Sequence, residues 1–144
     1  MQTVLIVDDI YENLYLLKVI LEEAGYNVIE AKDGKEGLTK LGKHAVDAIV
    51  SDILMPVMDG YMFCQTCKKM EEFRDIPFLF YTSTYTEKLD EDFAIKLGAD
   101  HFLRKPQDQE KIPGLIEKLL AKKPTKKNPV KEEDFTEQEV LKLY

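Results

Sequence analysis

The sequence predicts an α/β protein built on a doubly wound parallel sheet, and three observations predict it. Five short apolar runs, near residues 3–7, 27–31, 46–51, 77–81 and 100–104, each have the length of a buried strand. Longer stretches with helical spacing alternate with them, as in consecutive βα units. The runs also end on reactive polar groups. Asp8 and Asp9 follow Val4-Leu5-Ile6-Val7, Asp52 follows Ala48-Ile49-Val50-Ser51, and Thr82 and Lys105 end two more. In a parallel sheet these groups all fall on one edge, the edge at which open α/β sheets bind ligands.

Each element has its own signal. After the first strand, Leu14, Leu17, Leu21 and Ala24 form one apolar stripe, and Gly25 is a stop signal. The second helix follows Asp33-Gly34 and is weakened by Gly37 and Gly42. The third carries Phe63, Cys67 and Met70 on one face. The fourth is expected to start at a Thr86 cap, bury Leu89, Phe93 and Leu97, and stop at Gly98. The fifth shows Ile112, Leu115, Ile116, Leu119 and Leu120 at i, i+3, i+4, i+7 and i+8. Pro113-Gly114 interrupts its first turns, so a kink or a late start is expected, with one backbone hydrogen bond lost. Right-handed crossovers then place helices on both faces of the sheet. The chain has no internal repeat and no low-complexity tract.

The pattern changes after Ala121. Residues 122–129, Lys-Lys-Pro-Thr-Lys-Lys-Asn-Pro, have no apolar periodicity, and two prolines forbid a regular helix, so a solvated linker is expected. Thr136 with Glu139 then has the form of a capping box, and Phe135 with Val140 that of a hydrophobic staple. A helix is announced, yet the sequence stops at Tyr144, and so short a helix is marginal alone. The reading is one domain over residues 1–121, with a linker and the start of a further helix over 122–144, in a fragment of a longer protein. The alternative is a short helix packing back on the domain or on a partner.

Composition narrows the function classes. At 144 residues, 44% hydrophobic and 33% charged, the chain suits one soluble domain. No run approaches the ~18–20 apolar residues of a membrane span, and the N-terminus has no signal-peptide pattern. No membrane insertion and a cytoplasmic location are expected. A net charge of −7 argues against nucleic-acid binding by this chain.

The polar edge residues suit a site for a divalent cation and a phosphoryl group. A single aspartate between strand and helix is most simply a helix cap. Consecutive Asp8 and Asp9 cannot both cap, however, and beside Asp52 they repel unless a cation intervenes. Magnesium needs only one or two carboxylates besides waters and a phosphate. Lys105 follows Phe102-Leu103 and precedes Pro106, where a cis bond is expected.

The set Val7-Asp8-Asp9, Asp33-Gly34, Asp52-Ile-Leu-Met-Pro56-Val-Met-Asp59-Gly60, Thr82-Ser83, Gly98-Ala99-Asp100 and Lys105-Pro106 resembles a response-regulator receiver domain of two-component signalling, over residues 1–121. The resemblance implies a flavodoxin-like (βα)5 fold of the CheY-like superfamily, with strand order 2-1-3-4-5. It implies that Asp52 accepts a phosphoryl group from a phosphohistidine of a histidine kinase or phosphotransfer domain. Asp9, Asp8 through water, Asp52 and the backbone carbonyl of Leu54 would hold Mg²⁺. Lys105 and Thr82 would contact the phosphate, and Phe102 would switch the surface of the fourth helix, fifth strand and fifth helix toward a downstream domain or effector. Such a domain assists its own phosphorylation and dephosphorylation without being a stand-alone enzyme, and a homodimer remains open.

Departures from the family pattern carry expectations of their own. Leu54 and Thr84, each two residues past a site residue, position water poorly, so a long-lived phosphoaspartate is expected. Phe102 replaces a tyrosine often found there, so the switch lacks a hydroxyl; the lesser alternative is a ring packed in both states. Cys64-x-x-Cys67 has a metal-site spacing, but His44 and His101 lie on other elements, so both thiols are read as packed on the sheet. Met55, Met58 and Met62 are read as filling the turn after Asp52. Rival functions fare worse. An aspartyl phosphatase wants a second aspartate at Leu54, a P-loop nucleotidase a Gly-rich loop, and a flavodoxin a hydroxyl-rich phosphate loop at Asp8-Asp9. A receiver that only docks, without phosphorylation, is the remaining alternative.

Overall fold

The structure is a computed structural model and describes residues 1–122. Five strands, β1 (Thr3–Val7), β2 (Asn27–Ala31), β3 (Ala48–Ser51), β4 (Phe78–Thr82) and β5 (His101–Arg104), alternate with α1 (Tyr11–Glu23), α2 (Gly34–Lys43), α3 (Gly60–Lys69), α4 (Lys88–Lys96) and α5 (Ile112–Ala121). All strand pairs are parallel, in the order β2-β1-β3-β4-β5, so the fold is flavodoxin-like. The expected linker and capping-box helix lie outside the described residues beyond Lys122.

Strand periodicity sorts the core into two layers. Val4 and Ile6 of β1, Val50 of β3, Leu79 and Tyr81 of β4 and Leu103 of β5 pack against Leu14, Leu17 and Leu21 of α1 and Ile112 and Ile116 of α5. The alternate residues Leu5, Val7, Ile49, Phe78, Phe80 and Phe102 face Leu41 of α2, Phe63, Cys64 and Cys67 of α3, and Ala94 and Leu97. Both cysteines are fully buried and unlinked, as the helical spacing implied.

Several local expectations need correction. Ala24 is exposed, because it caps α1 instead of continuing its stripe; Gly25 then takes the left-handed turn at φ 95°. The fourth helix begins at Lys88 with Glu87 as its cap, not at Thr86. The Thr86 carbonyl instead accepts a bond from Arg104 Nε (3.2 Å), and Asp90 accepts from the Glu87 N–H (3.1 Å). That later start turns Leu89 to solvent, 78% exposed, while Ala94 and Leu97 are buried.

The fifth helix starts at Ile112 after a 3₁₀ turn over Gln109–Lys111. Pro113 thus sits in the first turn, where its missing N–H has no intrahelical partner to lose, and the expected loss of a hydrogen bond does not occur. Met55 and Met58 pack into or against the core as expected, but with Met62 they also line a cleft of about 380 Å³.

Candidate functional site

β1, β3, β4 and β5 end together, and the register decides which side chains meet. Val7 pairs with Ser51, so Asp8 and Asp52 leave the sheet side by side and on the same face. The backbone continues the ladder locally: the Asp8 N–H donates to the Ala31 carbonyl (3.1 Å) and the Asp52 N–H to the Val7 carbonyl (2.9 Å). Thr82 pairs with Arg104, and the Lys105 N–H donates to the Thr82 carbonyl (2.9 Å), which starts the lysine stem back across the sheet edge. The Lys105–Pro106 peptide is cis, as its sequence suggested.

Lys105 Nζ lies 2.6 Å from Asp8 Oδ2 and 2.9 Å from Asp52 Oδ2. All three side chains are nearly buried, with 12%, 8% and 9% of the lysine and the two aspartates exposed. The second oxygens are also held: Asp8 Oδ1 accepts from the Ile10 N–H (2.9 Å) and Asp52 Oδ1 from the Ile53 N–H (2.7 Å). Burial pushes the Asp8 carboxyl above its ordinary range, and neighbouring Asp52 adds to that. Burial alone would lower the Lys105 ammonium, but Asp52 and Asp8 outweigh it and hold that pKa above the usual lysine range. Two acids thus share one cation, and the site is short of positive charge.

Not every expected member joins this cluster. Asp9 is exposed and borders a separate cleft of about 570 Å³ along β2, with Tyr11 and Lys32 among its walls. Among the described residues no three Asp, Glu, His or Cys side chains come together as a metal cage, so the convergence of three acids is corrected to a pair bridged by lysine. Asp8 still continues the ladder of β1 beside Asp52, whereas the chain bends at Asp9, which borders the cleft along β2. Neither residue caps α1, whose cap Ile10 has no side-chain bond. Leu54 is 56% exposed in the loop after Asp52.

Thr82 is fully buried at the end of β4. Its hydroxyl lies 3.1 Å from the Thr84 hydroxyl and accepts the Thr84 N–H at 3.1 Å. Phe102 is 6% exposed and already in the core, 6.5 Å from the Phe80 ring, with the Arg104 guanidinium 5.3 Å over its face. Burial of this ring therefore does not require Thr82 to have left Thr84. Arg104 also pairs with Glu91 of α4 at 3.2 Å, which ties β5 to α4.

The motif's remaining acids hold the scaffold. Asp33 caps α2 through the Glu36 N–H (2.8 Å), Asp59 caps α3 through the Met62 N–H (2.9 Å), and Asp100 accepts from the Phe78 N–H (2.9 Å). Gly60 lets α3 approach the back of the site, its N–H donating to the Ile53 carbonyl at 2.7 Å. In the same loop Val57 is held at φ 69°, a strained value for a β-branched residue. Sequence reasoning passed over Tyr81, whose ring lies 5.4 Å from Lys105 Nζ. Its position, two residues after Leu79 on the face shared with Asp52, was the available signal.

Comparison with known proteins agrees with this fold. Residues 4–117 match the family model of the response regulator receiver domain. The chain is 33% identical over 130 residues to the probable transcriptional regulator ycf27 of Cyanidium caldarium, covering 90% of this chain and 51% of that protein. Among solved structures, the signal receiver domain of a signal transduction histidine kinase from Syntrophus aciditrophicus is 32% identical, with a TM-score of 0.77, covering 89% of this chain and 98% of that one. The chemotaxis response regulator CheY4 of Vibrio cholerae is likewise 32% identical, with a TM-score of 0.75 over 83% and 98%. The chain spans about half the length of the first curated relatives it matches.

Proposed function

The chain belongs to the response regulator receiver domain family of two-component signalling, and from that premise we propose that Asp52 is its phosphoacceptor. The observation that carries the reading is the buried Asp8–Lys105–Asp52 cluster at the carboxyl edge of the sheet. The donor is a phosphohistidine on a histidine kinase or phosphotransfer domain. An Asp52 carboxylate oxygen attacks phosphorus in line; a new O–P bond forms, the N–P bond of the donor breaks, and its electron pair leaves with the imidazole. The product is an acyl phosphate on Asp52.

Bringing an anionic acceptor to an anionic donor needs positive charge at the site. A close charge pair is worth about 4 kcal/mol at an effective dielectric near 20. Lys105, already between the two carboxylates, follows the phosphoryl oxygens as negative charge moves onto Asp52. The Ile53 N–H holds Asp52 in place during the approach. The donor set of Asp8 and Asp52 is all oxygen and charge-deficient, which fits a hard divalent ion. Asp8 and Asp52, with the Leu54 carbonyl and Asp9 through a side-chain rotation or water, would hold Mg²⁺. Bound there, Mg²⁺ supplies charge neutralisation and a template for in-line transfer.

Thr82 exchanges its bond with Thr84 for one to the phosphate. The loop between β4 and α4 moves with it, and Phe102 and Arg104, packed beside that loop, pass the change to the face of α4, β5 and α5. Phosphate thus shifts a population between two arrangements by binding one better. Residues 1–121 form this receiver unit. The chain acts in the cytoplasm, and a downstream domain or effector reads that face.

Incubation with a small acyl-phosphate donor and Mg²⁺, followed by intact-mass measurement, tests the reading. Wild type is expected to gain the mass of one phosphoryl group, and Asp52→Asn none. Equal modification of both overturns the assignment, and no modification of wild type favours a receiver that only docks.

A further inference from the structure

The cation of the site has a third neighbour that the acid pair does not explain. Lys105 Nζ sits over the Tyr81 ring, 5.4 Å from its centroid, while bonded to Asp8 and Asp52. The register makes this contact systematic. Ser51 pairs with Phe80, so one step further Asp52 and Tyr81 stand level on neighbouring strands, on the same face. Tyr81 is 7% exposed among Leu79, Leu103 and the α1 leucines. Beside it, a small cavity of about 110 Å³, walled by Leu16, Leu17 and Ile20 and by the polar Asn13 and Gln109, borders Tyr81 and Lys105 and leaves room for the lysine stem to swing away from the acids.

We propose that Tyr81 is a positioning residue for phosphoryl transfer: its ring face holds the Lys105 ammonium over Asp52 and keeps it out of the cavity toward α1. This inference rests on the phosphoacceptor reading of Asp52. A ring face suits the task because its attraction for a cation has no fixed hydrogen-bond direction. Lys105 must trade a carboxylate oxygen for phosphoryl oxygens during transfer. A hydrogen-bond acceptor in place of the ring would resist that movement, and an aliphatic side chain would give no attraction at all. The phenol also carries no competing negative charge, because burial pushes its pKa above the ordinary tyrosine value although Lys105 pulls the other way.

The test uses the whole chain with an acyl-phosphate donor and Mg²⁺, and three replacements at this position. Tyr81→Phe keeps the ring face and is expected to retain the wild-type rate. Tyr81→Leu is expected to lose about fivefold in rate, the scale of one partly desolvated cation–π contact. Pentafluorophenylalanine at position 81 keeps the ring's shape but inverts the charge of its face, and is expected to be at least as slow as Leu; it also guards against misfolding of Tyr81→Leu. Independently of any phosphorylation, the Lys105 ε-methylene protons in the resting protein are expected to show an upfield ring-current shift that persists in Tyr81→Phe and vanishes in Tyr81→Leu.

Equal rates for Phe and pentafluorophenylalanine overturn the proposal, because shape alone would then suffice. An unshifted Lys105 signal in wild type overturns it as well. Absence of phosphorylation in wild type, with the ring-current shift present, removes the Asp52 reading and the role in transfer with it, while the contact itself stands.

Discussion

Gly60→Ala offers the sharpest test of how the scaffold holds Asp52. A Cβ at Gly60 would lie 2.0 Å from the Asp52 carbonyl oxygen, 2.8 Å from Ile53 Cα and 3.0 Å from the Asp52 carbonyl carbon. These are backbone atoms, so no rotamer change relieves the contact, and about an ångström must be absorbed by separating α3 from the end of β3. Forcing extra atoms into packed structure costs up to about 3 kcal/mol. With a urea slope of about 2 kcal/mol/M, the unfolding midpoint is expected to fall by about 1.5 M. The movement also carries the Asp52 carboxylate and the Ile53 N–H that holds it. A shift of ~1 Å in a reacting group costs on the order of 100-fold in rate. Urea unfolding followed by circular dichroism, with phosphorylation measured at a urea-free temperature where the variant is folded, checks both effects. A midpoint within ~0.3 M of wild type together with an unchanged rate would refute the close-approach argument.

Three further outcomes are expected. Asp8 has a folded-state pKa above its ordinary 3.8, so its contribution to stability is most favourable below that value and is lost as pH rises through the folded pKa; in metal-free buffer, the stability of wild type relative to Asp8→Asn should therefore fall as pH rises from acid toward neutral, while Asp8→Asn impairs phosphorylation, and a difference that grows with pH would contradict the charge-deficient site. Cys67, buried and with its thiol pushed up to about 12, should resist a thiol reagent along with fully buried Cys64 until the chain unfolds; rapid native-state labelling would rule out their packing on the sheet. With Leu54 and Thr84 poorly suited to placing water, phosphoaspartate on the isolated chain should outlast seconds, and replacing Leu54 with Glu or Asn should shorten it, as followed by loss of radiolabel.

Much of the fold was legible because it rests on local patterns. Five apolar runs and intervening helical stripes correspond to β1–β5 and α1–α5, and Gly25 and Gly98 mark turns where the backbone takes φ of 95° and 110°. Where two signals compete within a few residues, the linear pattern was insufficient. Thr86 and Glu87 both lie where a cap could form; the helix starts after Glu87, which shares a capping box with Asp90, while the Thr86 carbonyl is taken by Arg104 of β5, and that start exposes Leu89. Pro113 read as a lost hydrogen bond until the start of α5 put it in the first turn.

The candidate site divides along the same line. The order of residues by itself determined that Asp8, Asp9, Asp52, Thr82 and Lys105 lie at strand ends, because strand length and parallel direction follow from apolar runs and their spacing. Only the tertiary structure decided that Asp8 and not Asp9 shares Lys105 with Asp52, that Thr82 bonds Thr84, and that Tyr81 lies against the lysine. The contacts of Lys105 with Asp8, Asp52 and Tyr81 depend on the register between strands distant in sequence, and a one-residue slip in register would exchange every side chain between the two faces; the Thr82–Thr84 bond depends instead on how the chain turns at the end of β4.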